Sequence, residues 1–266
     1  MSPQGMQGFR LAAASVLAVA EELTDKEWAA PSAAKGWTVQ DVVTHIAELM
    51  STLVAAVNGD LPEPAMPIGV EQMNDLAVAS RANWTPDQTL KSFQNEFDRA
   101  ETVFATLQEK PAATTVTPLL DLGEHPLHSI ADMFAFDLTT HLYWDILAPR
   151  GPLTRVVSWP AEVQIAASLN WLMSGIPRMR AGLAASLTAP LNLAFTGPAS
   201  RTVSVRPDGD SIVVEDGPAT DAVATVVSTG FHALAWTTQR IPWRDHTHVT
   251  GDLAATQVFL DHLNLI

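Results

Sequence analysis

The sequence predicts a helical N-terminal half, a four-helix bundle over residues 1–150, followed by a small α+β domain over residues 151–266. Long apolar runs of helical period fill the first half. After Gly151-Pro152 the pattern changes to short alternating segments bounded by Gly, Pro or Asp. With 266 residues, 47% apolar and 17% charged, the chain has enough hydrocarbon for a sizeable packed core.

Residues 6–23 are rich in Ala, Leu and Val and contain no helix breaker. Thr38 opens the second helix: T-V-Q-D puts Asp41 at the third helical position, a variant of the capping box. Behind it Val42, Ile46, Leu49, Met50, Leu53 and Val57 recur at helical spacing until Asn58-Gly59 stops the run. Residues 60–69 read as a proline-rich loop, 70–83 as a third helix, and a fourth helix starts near Pro86 and ends before Pro111. The last long helix of this half runs from Ser129 to Leu147, closed by Pro149 and Gly151. In the second half, helices are predicted over 160–174 and 177–187. LNLAFTG, RTVSVRP, SIVVEDG and AVATVVS then each read as a strand, with a hairpin signal at Asp208-Gly209. A helix over 231–239, a short strand at HTHVTG and a closing helix over 252–265 complete the reading.

Composition narrows the chemistry. The chain has no cysteine, so disulfides, thiolate ligands and a cysteine nucleophile are excluded, and a metal site must use His, Asp and Glu. A net charge of −14 argues against a nucleic-acid partner, because phosphate backbones demand a basic face. No apolar run approaches a membrane span, and MSPQGMQGFR lacks the basic flank and apolar stretch of an export signal. A cytoplasmic protein without membrane contact, a monomer or small homo-oligomer, is expected.

Asp137 and His141 are four residues apart on a predicted helix and share one face. His45 sits on or beside the buried stripe of another long helix, between Val42 and Leu49. Two His and one carboxylate from facing bundle helices make a three-ligand divalent metal site with an open position. On spacing alone, histidines hydrogen-bonded inside a core are the commoner alternative. His246 and His248, paired on a strand, read as polar residues, as do His125, His128 and Glu48; Trp37, Trp84 and Trp144 read as core or rim. There is no phosphate-cradling glycine loop, no G-x-S-x-G elbow and no H-E-x-x-H.

Trp28 followed by GWTVQDVVTHIAEL (36–49), MNDLAVASRANWTPDQTLKSF (73–93) and FDLTTHLYWDILAPRGPL (136–153) resemble the mycothiol-dependent maleylpyruvate isomerase family of the DinB-like superfamily. The second half, ending WTTQR…HVTGDLAATQVFLDHL, is similar to that family's smaller, sterol-carrier-like domain. The resemblance implies a DinB-like bundle with His45, Asp137 and His141 as metal ligands, zinc first among zinc, nickel and iron. Two departures bear on this. Many relatives have Glu or His at Asp137, and relatives often read H-x-W-D where this chain reads His141-Leu142-Tyr143-Trp144-Asp145. The insertion puts Asp145 one turn beyond His141, where it could support a ligating His or replace Asp137. The resemblance further implies mycothiol as thiol cosubstrate, an actinobacterial source, and isomerisation of, or S-transfer to, a small electrophile. Arg240, in WTTQR, matches a recurring family arginine and is the expected catalytic or substrate-binding cation, with Arg244 second and Arg81 a further possibility. A non-catalytic protein binding metal or an apolar ligand, or a structural protein with core histidines, is the alternative.

Overall fold

The computed structural model describes residues 3–60, 68–179 and 182–265. Helices α1 (Pro3–Ala20), α3 (Val39–Asn58), α5 (Pro86–Thr106) and α6 (Ile130–Thr140) form the predicted bundle, α1 packing on α5 and α6, and α3 on α5. At its centre Phe9, Phe97, Phe104 and Phe134 meet with ring centroids 5.2–5.7 Å apart. Of these Phe9, Phe104 and Phe134 are fully buried, each worth roughly 2–3 kcal/mol of transfer free energy. The caps are as the sequence requires. Thr38 accepts from the Asp41 amide while the Asp41 carboxylate accepts from the Thr38 amide at 2.8 Å. Gly59, at φ 76°, ends α3 in the left-handed conformation that disfavours other residues.

Other elements depart from expectation. Helix α2 (Asp25–Trp28) is a single capped turn that has no room for an apolar period. Helix α4 (Val70–Ala79) stops short of residue 83, and most of the proline-rich loop, 61–67, lies outside the described residues. Between α5 and α6 a two-stranded ribbon pairs β1 (Val116–Pro118) with β2 (Glu124–Pro126). The helix expected over 129–147 is two structures: after α6, His141–Ile146 form a π-helical turn, closed by Leu147 donating to the Leu142 carbonyl five residues back at 3.0 Å. An apolar period does not reveal one extra residue absorbed in a wider turn, because the buried face continues.

Helix α7 (Glu162–Gly175) packs on both α1 and α6, and a Cβ at Gly8 of α1 would stand only 2.9 Å from the Ala167 Cβ. The helix predicted over 177–187 does not form. Among the described residues it contributes only the 3₁₀ turn Leu183–Ser186, because Pro177 lacks an amide and Gly182 takes φ 81°. The sheet has order β5-β4-β3-β6-β7, from β3 (Leu191–Thr196), β4 (Arg201–Asp208), β5 (Ser211–Asp216), β6 (Ala224–Thr229) and β7 (His248–Gly251). Only β3 and β6 run parallel, with Leu193 opposite Val226. Helices α8 (Gly230–Trp236), α9 (Trp243–His246) and α10 (Leu253–His262) complete this α+β half, and α8 rests on α7 and α6. His246 ends α9 rather than pairing with His248 on a strand, and its ring stacks against His232 at 4.6 Å. No helix among the described residues is long and apolar enough to cross a membrane.

Candidate metal centre

His45 comes from the middle of α3, Asp137 from the last turn of α6, and His141 from the start of the π-helical turn. The structure brings these three together: one donor atom from each lies within 4.8 Å of the others. Asp137 Oδ2 is 3.7 Å from His45 Nε2, and Asp137 Oδ1 is 3.4 Å from His141 Nε2. These separations are long for charge-assisted hydrogen bonds. They match the edge of a tetrahedron of donors about 2.0–2.1 Å from a shared zinc ion, which is roughly 3.3–3.4 Å. Asp137 Oδ2 is buried with no hydrogen-bond partner. A buried carboxylate oxygen without a donor is costly, and a cation at the common focus would satisfy it. The residues present therefore fit a divalent metal.

The surroundings orient the rings. His141 Nδ1–H donates to Asp145 Oδ2 at 2.8 Å, so its Nε2 faces Asp137. Asp145 thus lies on the far side of the His141 ring from Asp137. It is 1% exposed and carries two guanidinium groups: Arg240 donates through Nε and Nη2, each at 3.1 Å to Oδ2, and Arg150 donates to Oδ1. Arg150 also donates to the carbonyls of Trp144, Ala33 and Arg240. The Trp37 ring lies tilted against His45, centroids 5.0 Å apart, and is held by its Nε1–H donating to Asp75.

Charge follows from this packing. Burial would raise the Asp137 carboxyl, but His141 and then His45 outweigh it and hold it well below the usual carboxylate range. Burial would lower the His141 imidazole, but the charge and hydrogen bonds of Asp137 and Asp145 push it up to about 9. Asp145, which burial would also raise, is brought down to about 2 by His141, Arg240 and Arg150.

The remaining candidates lie elsewhere. Arg244 is bidentate to Asp261 at the surface and stands over Trp243, and Arg81 is bidentate to Glu48. His125 is buried against Trp171 and its Nε2–H donates to the Leu122 carbonyl, while His128 Nδ1–H donates to the Ala113 carbonyl. Arg150 was not singled out from sequence. Two of its four acceptors, Ala33 and Arg240, are distant in sequence and leave no local pattern, though an arginine just past a helix end was a weak signal.

A helical bundle that carries a two-histidine, one-carboxylate donor set and continues into an α+β half defines the class of protein. The sequence profile described as "Mycothiol maleylpyruvate isomerase N-terminal domain" matches residues 9–147, and the chain belongs to that family. Among solved structures, a mycothiol-dependent maleylpyruvate isomerase is similar over 96% of this chain and 95% of its own, with a TM-score of 0.61 and 14% identity. A histidine-to-alanine mutant of that enzyme gives the same values, and the likeness is one of fold. No curated protein matches the chain significantly.

Proposed function

We propose that this chain is a metal-dependent enzyme that uses mycothiol to isomerise a small electrophilic substrate or to transfer sulfur to it. The observation that carries the reading is the donor cluster of His45, Asp137 and His141, with its orphaned carboxylate oxygen, in a family whose name joins mycothiol to isomerisation.

In this reading the three side chains hold a divalent ion, zinc first among the metals that suit them. When bound, the ion supplies the positive charge that keeps a thiol deprotonated near neutral pH. The chain has no cysteine of its own to compete for it. Asp145 fixes the His141 ring so that Nε2 points at the cluster, and Arg150 and Arg240 hold Asp145 ionised. Arg240 is primarily a positioning residue. It also lines a cavity of about 410 Å³ with Trp236, Gln239 and Trp243, and is assigned there to the polar end of the thiol. Arg244, engaged with Asp261, is the secondary candidate for that contact. A sulfur lone pair forms an S–C bond to an activated alkene as the π pair shifts into the conjugated carbonyl. Rotation and reversal give isomerisation, whereas protonation of the adjacent carbon gives S-transfer.

Elemental analysis of the purified protein, followed by incubation with mycothiol and a panel of electrophiles, tests this. One metal per chain is expected, lost in His45→Ala, together with thiol consumption or cis/trans conversion. Metal-free protein whose stability His45→Ala leaves unchanged would overturn it.

A further inference from the structure

Among the described residues, the space beside the donor cluster is lined mostly by hydrocarbon, with Glu71 and Asn74 as its further polar side chains and with no cation. His45 and Asp137 border a cavity of about 50 Å³ whose other walls include Leu49, Met133, Phe136 and Trp171. Among the described residues its only further ionisable side chain is Glu71, an acid. Leu49, Val70, Leu122 and Met133 also wall a second, larger cavity of about 350 Å³ between α3, α4, α6 and the β1–β2 ribbon. No ionisable side chain lines that cavity among the described residues; its side-chain polar groups are the hydroxyls of Thr52, Thr115 and Thr117.

Arg150, Arg240 and Arg81 are committed elsewhere. Arg150 and Arg240 lie across the His141 ring on Asp145, and Arg81 is bidentate to Glu48. A dicarboxylate entering these cavities would be desolvated against leucine, methionine and tryptophan, beside Glu71, without a guanidinium to receive it. A neutral chain would gain hydrophobic free energy with every methylene buried.

From this, and resting on the thiol-using reading above, we propose that the second substrate is a neutral, largely apolar electrophile. Its activated head lies at His45 and Asp137, and its hydrocarbon tail occupies the cavity between α3, α4 and the ribbon.

Calorimetric titration of the metal-loaded protein with N-methyl-, N-butyl- and N-octylpropionamide, unreactive analogues of neutral acrylamide electrophiles, tests the ligand class directly. Affinity is expected to rise about fourfold per added methylene, with no binding of succinate. Ala56→Trp, at an exposed position of α3 on the wall of the larger cavity, should flatten the series while leaving metal content unchanged. A flat series in the parent protein, or succinate binding tighter than the octyl amide, overturns the proposal. Mycothiol consumption and maleate-to-fumarate conversion, with N-octylacrylamide against maleate, separate the two readings. If neither electrophile consumes thiol and maleate is not isomerised while the amides still bind stepwise, the enzyme reading fails and the ligand class stands. If maleate is consumed faster and the amide series is flat, the enzyme reading stands and the ligand class fails.

Discussion

His141 divides its two ring nitrogens between two carboxylates: Nδ1–H donates to Asp145 at 2.8 Å, and Nε2 faces Asp137 at 3.4 Å. One aspartate is thereby an orienting partner and the other a donor-set member. Asp145→Ala should weaken metal affinity about 10- to 100-fold, the usual effect of removing such a partner. Asp145→Asn, which can still accept from Nδ1, should lose less. Chelator competition measures both, and equal losses in the two variants would argue against an orienting role.

The metal-free protein should lose stability in alkali. The His141 imidazole stands at about 9 against an ordinary value of 6.5, so its contribution is complete below 6.5 and disappears as pH rises through 9. Urea midpoints between pH 6 and 10 would show this as a decline of roughly a few kcal/mol. The decline should be smaller in Asp137→Asn, where the principal source of the raised value is gone. Metal uptake near pH 7.5 should release a proton from His141, and above pH 10 it should not.

Arg150 joins the segment before α3, the π-helical turn and the chain at Arg240 through its carbonyl acceptors, besides its pair with Asp145. Arg150→Met keeps much of the aliphatic stem and leaves Asp145 with one guanidinium. A loss of about 3 kcal/mol is expected, read from denaturant unfolding, with the metal-loaded protein showing the same sign.

Gly151 is required by contact rather than by torsion. A Cβ there would stand 2.3 Å from the Ile146 carbonyl carbon and 2.4 Å from its oxygen. Gly151→Ala should cost about 2–3 kcal/mol by displacing backbone. Gly197→Ala, at φ 79° with open space around it, should cost only about 1–2 kcal/mol. Thermal unfolding of the pair distinguishes clash from torsional strain.

Much of this architecture was legible because it is locally encoded. Thr38, Asp41 and Gly59 mark both ends of α3, and the alternating segments around Asp208-Gly209 are strands of the sheet. His45, Asp137 and His141 could be placed on facing helices by period and motif. What was hidden depends on contacts distant in sequence. The anchoring of Asp145 needs Arg150 and Arg240, and Arg240 is contributed by the other half of the chain. The β1–β2 ribbon has strands of only three residues, too short to show alternation. The missing helix after α7 was misread because its apolar content outweighed the signals of Pro177 and Gly182.

The π-helical turn at His141–Ile146 makes the length of this segment a matter of phase. In an α-helix each residue advances about 100° around the axis. Removing one residue between His141 and Asp145 would let α-helical winding resume, with the aspartate three residues and about 300° on from the histidine in place of four residues and roughly 330°. The same deletion would shorten the path to Arg150, whose acceptors at Ala33 and Arg240 lie outside the turn. A single-residue change in length here, unlike one in a surface loop, would therefore be felt at the donor cluster and at the seam between the two halves together.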